Sequence, residues 1–405
     1  MRTVAVVGAS LAGLSAARAL RKQGYGGRLV VIGDELHRPY DRPPLSKEFL
    51  AGAVAEADLA LEADGEDLEV AWRLGLPAIG LDPGDRSVRL ADGSAVRADG
   101  FVLATGAAAR TLPGGTGRTG GTGRTGGTGA PGSKRLAGVH TLRTLDDARA
   151  LRDDLARGGR LVVIGGGFIG AEVASTAYAL GLDVTVVEAA PTPLAGPLGE
   201  SMGGYVSELH ADHGVRLLCG VGVRGLGGQA RVAAVLLADG RTLPADTVVV
   251  GVGARPNVEW LAGAGIALDN GVTCGADGRT SVAGVVAVGD CANWFDPAAG
   301  VHRRVEHWTG ALERPAAAVA ALLSGGTAAP GPVRPPYFWS DQYGVRIQFA
   351  GHAAGADRVT VEEGAVADRN FLAVYRRSGN PVAVLGLNQP RLFMRWRKQL
   401  TAAGS

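Results

Sequence analysis

The sequence predicts an α/β protein built on parallel sheets, with an α+β C-terminal domain. Three observations carry this. Short Val/Ile/Leu-rich runs alternate with helical stretches. Most of those runs end in Gly or an acid, as strands buried in a parallel sheet do. After about Pro330 the texture changes to aromatics and alternating apolar runs.

In chain order, buried parallel strands are expected at Val4–Val7, Leu29–Ile32, Gly100–Ala104, Leu161–Ile164, Val184–Val187, Thr247–Val252 and Val285–Val288. Helical spacing is found at Leu11–Gln23, Asp146–Ala156 and Ile169–Leu180. The runs Val345–Phe349, Phe371–Tyr375 and Val382–Gly386 alternate and sit among Tyr337, Phe338, Trp339 and Tyr343, so they read as antiparallel strands. Gly114–Gly129 is a repeat of Gly, Thr and Arg with no apolar face, and it reads as a flexible surface spacer.

Composition removes several function classes. The chain has 405 residues, enough for two to three domains, with 41 Lys and Arg against 39 Asp and Glu. That balance gives no support for a nucleic-acid binder. Cys219, Cys274 and Cys291 form no CxxC, so no disulfide framework, zinc ribbon or dithiol is expected, no metal site is predicted, and a reducing cytoplasm fits. No apolar run reaches the ~20 residues of a membrane span. The longest, Leu161–Leu182, is interrupted by glycines and Glu172. Gly is 64 of 405 residues, about twice the usual ~7 %, so the position of the glycines is the informative quantity.

Many stand at strand-to-helix turns. Gly8-Ala-Ser-Leu-Ala-Gly13 follows the first strand and opens a helix, with Ser10 where a glycine is usual. The next strand ends at Gly33-Asp34-Glu35, and Asp34 stands about 20 residues past Gly13, where a carboxylate meets ribose hydroxyls. Gly165-Gly-Gly167-Phe168-Ile169-Gly170 repeats the pattern in full, and its second strand ends in Glu188. One such loop is a weak signal, but two, each with strand, helix and terminal acid, predict two Rossmann-like dinucleotide-binding domains. Two dinucleotides in one chain imply an electron relay, with FAD and NAD the usual pair. Glu188 would repel a 2′-phosphate, and Ala189–Gly196 carries no Arg or Lys to neutralise one, so NADH is expected over NADPH.

Further blocks add specificity: PYDRPPLSKEFL (Pro39–Leu50), ATGA (Ala104–Ala107) with Arg110, HTLRTLDDA (His140–Ala148), GVGARPN (Gly251–Asn257), RTS (Arg279–Ser281), VGDCA (Val288–Ala292), VEHW (Val305–Trp308) and PYFWSDQYG (Pro336–Gly344). With the two glycine loops, these make nearly the whole chain similar to the FAD- and NADH-dependent ferredoxin reductases, which include putidaredoxin reductase and the reductase components of aromatic-ring dioxygenases.

The resemblance implies a layout. An FAD-binding domain would be split over residues 1–112 and 252–325. The insertion would cover 113–135, an NAD-binding domain 136–251 and a C-terminal reductase domain 326–405. It implies that Gly8, Ser10, Gly13, Asp34, Glu35, Arg42, Lys47, Ala104, Thr105, Gly106, Arg110, Asp290, Glu306, His307 and Trp308 line the FAD site. Gly165, Gly167, Phe168, Ile169, Gly170, Glu172, Glu188 and Gly253 would line the NAD site. Lys47, Glu172 and Trp308 are the candidate catalytic residues: the lysine as a cation beside the isoalloxazine, the glutamate as a carboxylate near the nicotinamide and a partner for Lys47, the tryptophan as a pocket aromatic. Electrons would pass from NADH through FAD to a small acidic iron–sulfur ferredoxin, and from it to a cytochrome P450 or ring-hydroxylating oxygenase. The protein would be a monomer or homodimer. Arg391, Arg395, Arg397 and Lys398, with Arg303 and Arg304, are expected at the ferredoxin docking surface.

The pattern departs from the family in three places: no Arg at Pro191–Gly196, Arg314-Pro315 where Gln-Gly is common, and the Gly/Thr/Arg insertion. Two other activities share the flavin core. A monodehydroascorbate reductase-like enzyme would use a small radical as acceptor. An NADH-sensing flavoprotein like apoptosis-inducing factor would oxidise NADH slowly. A flavin disulfide reductase needs a cysteine early in the chain, and the first here is Cys219.

Overall fold

The computed structural model describes residues 1–112, 136–297, 299–325 and 335–403. The Gly114–Gly129 repeat lies outside them. Two five-stranded parallel sheets dominate the first three hundred residues. The first sheet has the order Val285–Ala287, Gly100–Leu103, Thr3–Val7, Arg28–Ile32, Val70–Arg73. It therefore gathers strands from both ends of this region around the strand that opens the chain. The second sheet has the order Arg216–Leu218, Asp183–Val187, Arg160–Ile164, Thr247–Val250, Val139–His140. The central strands are buried along almost their whole length, which is why they are continuous aliphatic runs rather than alternating ones.

Each sheet carries its helices against this aliphatic surface. Helix α1 (Leu11–Lys22) packs on the first sheet through Ala12, Ala16, Ala17 and Leu20. Helix α2 (Leu145–Leu155) starts with a capping box in which Thr144 and Asp147 satisfy each other's backbone amides. It packs with helix α3 (Phe168–Ala179) on the second sheet. A short helix α4 (Ala195–Leu198) and helix α5 (Glu200–Asp212) follow. The chain leaves and re-enters the first sheet's unit through one antiparallel two-stranded ladder, Ala107–Ala109 against Ala254–Pro256. Helix α6 (Trp308–Leu323) packs against α1 and runs without a break through Pro315.

The C-terminal sheet is antiparallel, in the order Tyr337–Gln342, Val345–Gly351, Asn380–Leu387, Asn370–Arg377, Arg358–Ala365. Helix α7 (Pro390–Ala403) covers it by burying Phe393 and Leu400. Expected and observed strands agree to within a residue or two. The small antiparallel meanders at Ala78–Arg97 and Val223–Pro244 were not anticipated. Their strands are short, and half-exposed polar residues break up the apolar signal. Among the described residues no helix is long and apolar enough to cross a membrane.

Candidate functional site

The first glycine loop is shaped by backbone approaching backbone. Gly8 has φ +124°, and a Cβ there would lie 2.0 Å from the Ala104 carbonyl oxygen. A Cβ at Gly13 would lie 1.9 Å from the Gly8 carbonyl. No side chain fits at either position, so the strand end, the turn and the first turn of α1 stay in close contact, and the amides at the start of α1 are presented outward. Ser10 is the N-cap of α1, but its hydroxyl accepts from Arg42 Nε (3.2 Å) instead of capping the helix. Arg42 also donates to Glu35 Oε1 (2.6 Å) and to the Arg143 carbonyl (2.6 Å). Glu35 in turn accepts from the Tyr40 hydroxyl, and Asp34 stands at the exposed rim. Arg143 reaches on to Asp290, which follows the Val285–Ala287 strand, and to the Ala107 carbonyl. A chain of charge-assisted contacts thus runs from Ser10 through Arg42 and Arg143 to Asp290.

The second loop repeats the construction. Gly165 has φ +106°, and a Cβ there would meet the Gly251 carbonyl at 2.3 Å, while one at Gly170 would meet the Gly165 carbonyl at 2.2 Å. At Gly167, the N-cap of α3, a Cβ would touch nothing within 4 Å. The protein itself leaves open space there, which suits a ligand phosphate. Glu188 is held by two backbone amides, Gly166 N (2.7 Å) and Ala190 N (2.8 Å), so its carboxylate stands fixed beside the loop.

Between the loops lies a buried polar junction. Glu172, in the second turn of α3, is only 5 % exposed. Its Oε2 accepts from Ser46 Oγ (2.5 Å) and Lys47 Nζ (3.0 Å), and its Oε1 from Ser340 Oγ (2.7 Å). Nearby, Trp308 Nε1 donates to Asp41 Oδ1 (2.8 Å), and the Trp308 ring meets Trp339 edge-on at 5.8 Å. Burial raises the Asp41 carboxyl above the ordinary range. His307, the N-cap of α6, has a buried Nδ1 with no hydrogen-bond partner among the described residues. Burial pushes its imidazole down to about 4, so the ring is neutral at pH 7. An orphaned buried nitrogen, two loops whose backbones need close approach and the open cradle at Gly167 together fit two bound dinucleotides.

A model of the pyridine nucleotide-disulphide oxidoreductases matches residues 2–314, and a reductase C-terminal model matches 337–405. The chain belongs to the pyridine nucleotide-disulphide oxidoreductase family. Rhodocoxin reductase of Rhodococcus erythropolis is 37 % identical over 98 % of this chain and 89 % of its own length. The ferredoxin reductase component of chlorobenzene dioxygenase from Cupriavidus sp. strain PS12 is 38 % identical over 96 % of this chain and 90 % of its own. Among solved structures, the covalent putidaredoxin reductase–putidaredoxin complex superposes with a TM-score of 0.90 at 33 % identity, covering 99 % of this chain and 93 % of that one.

Within this oxidoreductase, Gly8, Gly13, Gly165, Gly167 and Gly170 form the two loops, and Lys47 meets Glu172. Ala104 and Thr105 lie beside Gly8, Thr105 exchanges hydrogen bonds with Asn257, and the Gly106 carbonyl accepts from the Asn257 amide. Arg110 is exposed and donates to the Ala254 carbonyl next to Gly253. Phe168 packs at a tilt against Phe338, while Ile169 is exposed at the loop. Glu306 points outward and pairs with Arg304. Arg304 is a correction to the docking surface: its side chain is turned in, to the Asp290 carbonyl and Glu306, and offers little charge to a partner. Arg397 lies over the Tyr337 ring. Asp41, Ser46, Arg143 and Ser340 were not singled out from sequence. All four lie inside the quoted motif blocks, which was the signal available.

Proposed function

We propose that the protein is an FAD-containing NADH:ferredoxin oxidoreductase that supplies electrons, through a small acidic iron–sulfur protein, to a cytochrome P450 or a ring-hydroxylating oxygenase. The observation that carries this is the Tyr40–Lys47 segment. Its Arg42 touches Ser10 in the first loop, and its Lys47, five residues on, touches Glu172 beside the second. One short segment thus ties the two nucleotide sites together, as electron transfer between two dinucleotides requires. The relatives' names, ferredoxin reductase components of dioxygenases and reductases of rhodocoxin and putidaredoxin, support the same reading.

FAD, when bound, accepts two electrons as a hydride from NADH and gives them up singly. The chain's own residues position, neutralise and exclude water. Gly8 and the start of α1 present amides to a pyrophosphate, with Arg42 and Arg143 supplying positive charge and Asp290 an acceptor for ribityl hydroxyls. Glu188 takes the adenosine ribose of NADH. Lys47 holds a cation in a largely buried place, and Trp308, fixed by Asp41, closes the pocket wall. The FAD-binding unit comprises 1–112 and 252–325, the NAD-binding unit 136–251 and the C-terminal unit 326–405.

Helix α7 supports the choice of acceptor. Arg391, Arg395 and Lys398 are exposed at i, i+4 and i+7, on one helical face, and the helix carries no acid. That face suits an acidic protein. The three free cysteines suit a reducing, cytoplasmic setting. The test is NADH-driven cytochrome c reduction with and without a ferredoxin of this class. The rate should rise strongly with ferredoxin and fall with salt. Absence of ferredoxin stimulation refutes the assignment.

A further inference from the structure

The Tyr337–Gln342 strand has two working faces. Its odd-numbered residues Tyr337 and Trp339 stack on each other, and Trp339 meets Trp308. Its even-numbered residues Phe338, Ser340 and Gln342 point the other way, as strand alternation requires. They run along α3. Phe168 packs on Phe338 at 4.6 Å, Glu172 accepts from Ser340, and Ser175 Oγ accepts from the Tyr343 amide at 2.6 Å. Positions 168, 172 and 175 lie on one face of the helix. The C-terminal sheet is therefore fastened along the helix that carries Glu172.

Ser340 is fully buried, and Gln342 is 1 % exposed. A serine hydroxyl has a single proton. Here it is given to Glu172 Oε1, and the oxygen's lone pairs accept from Gln342 Nε2 at 3.0 Å. Gln342 thereby fixes which way the hydroxyl points. Glu172 in turn has donors on both oxygens, so its carboxylate is locked in plane and Lys47 is held at Oε2. An ammonium has three N–H donors, and one of Lys47's is spent on Glu172.

We propose that Ser340, oriented by Gln342, is a positioning residue for the Lys47–Glu172 pair, so that the C-terminal sheet sets how much of the Lys47 charge is available to the flavin. The idea rests on the oxidoreductase reading above. Without the Ser340 proton, Oε1 loses its donor and the carboxylate binds Lys47 more strongly. Less positive charge then remains for a reduced flavin, which becomes harder to form.

The test uses the full-length holoprotein and the variants Ser340→Ala, Gln342→Met, Glu172→Gln and the Ser340→Ala/Glu172→Gln double. Removing one hydrogen bond to a buried carboxylate is worth about a factor of ten. Stopped-flow bleaching of the flavin by saturating NADH should slow about tenfold in Ser340→Ala, with the half-saturating NADH concentration changed less than about twofold. Gln342→Met should act in the same direction by about threefold. The two-electron potential, measured by photoreduction without NADH, should fall in Ser340→Ala by an amount equivalent to about tenfold, roughly 30 mV. In the Glu172→Gln background, Ser340→Ala should have no further effect. Wild-type potential and bleaching rate in both Ser340→Ala and Gln342→Met overturn the proposal. So does an undiminished Ser340→Ala effect in the Glu172→Gln background. A wild-type protein that NADH does not bleach refutes the oxidoreductase reading instead, while the photoreduction arm still tests Ser340.

Discussion

Glu188 should decide which nicotinamide cofactor the protein takes. Its carboxylate is not a loose surface acid: the Gly166 and Ala190 amides hold one oxygen each, at 2.7 and 2.8 Å. It therefore cannot swing away from a phosphate placed where the ribose hydroxyls of NADH belong. The residue is half-buried, so an effective dielectric of about 40 is reasonable, between the interior and bulk values. At a separation of about 5 Å, each unit of like charge then costs about 1.7 kcal/mol. A phosphate carries −1.5 to −2 charges, so the penalty is about 3 kcal/mol, roughly a hundredfold. The Ala189–Gly196 stretch has no cation to offset it. Steady-state kcat/KM with ferricyanide as acceptor should therefore favour NADH over NADPH by about a hundredfold. Glu188→Ser with Ala189→Arg should bring the ratio to within a few fold of one, mostly by improving NADPH. A wild-type protein that uses NADPH as well as NADH, or a double variant that keeps the wild-type ratio, refutes the reasoning.

Gly8→Ala should yield protein with little flavin, read as the ratio of absorbance at about 450 nm to that at 280 nm, because its Cβ would sit 2.0 Å from a backbone oxygen. Gly165→Ala should retain flavin but lose NADH bleaching, since its clash, at 2.3 Å from the Gly251 carbonyl, is confined to the second loop. Acid should destabilise the α5 contact with the C-terminal sheet. His210, 2 % exposed and bonded to the Tyr343 hydroxyl, is pushed by burial from 6.5 down to about 4. Between those values the unfolded chain binds a proton that the folded one does not. Stability is therefore full well above pH 6.5 and falls as pH drops towards 4, with about 2 kcal/mol lost by pH 5. Thermal melts of His210→Gln should be flatter over that window than those of wild type, and equal slopes would count against the argument. Reversing Arg391, Arg395 and Lys398 to Glu should raise the KM for ferredoxin several fold at low salt, with ferricyanide reduction unchanged and the difference shrinking as salt screens the surface.

The parallel sheets and both glycine loops were legible because their physics is local. A buried parallel strand must be aliphatic throughout, and a phosphate turn must lack side chains at fixed offsets. Chemistry made across long separations was legible only as motif membership. Ser340 lies 168 positions from Glu172, and Arg143 lies 147 from Asp290. No periodicity links residues so far apart in the chain. Arg304 shows the converse failure. Two adjacent arginines look alike in sequence, yet the hairpin pleat turns one of them towards Asp290 and Glu306.

The ladder between Ala107–Ala109 and Ala254–Pro256 has a consequence for the gene. Ala109 and Ala254 are directly opposite in register, and the pairing continues through the Arg110 amide to the Gly253 carbonyl. Everything from there to the second sheet and back is strung from two neighbouring strand ends. A two-residue hairpin turn spans such a gap, so the covalent path of the host ladder does not depend on what is strung between its strands. The same doorway would accept a foreign nucleotide module whose ends lie as close together. The protein is in this respect a cassette holder, but its cassette must also bring a surface for Tyr40, Leu45, Phe49 and Leu50, which pack on α2 and α3, and a replacement for Arg143 beside Asp290.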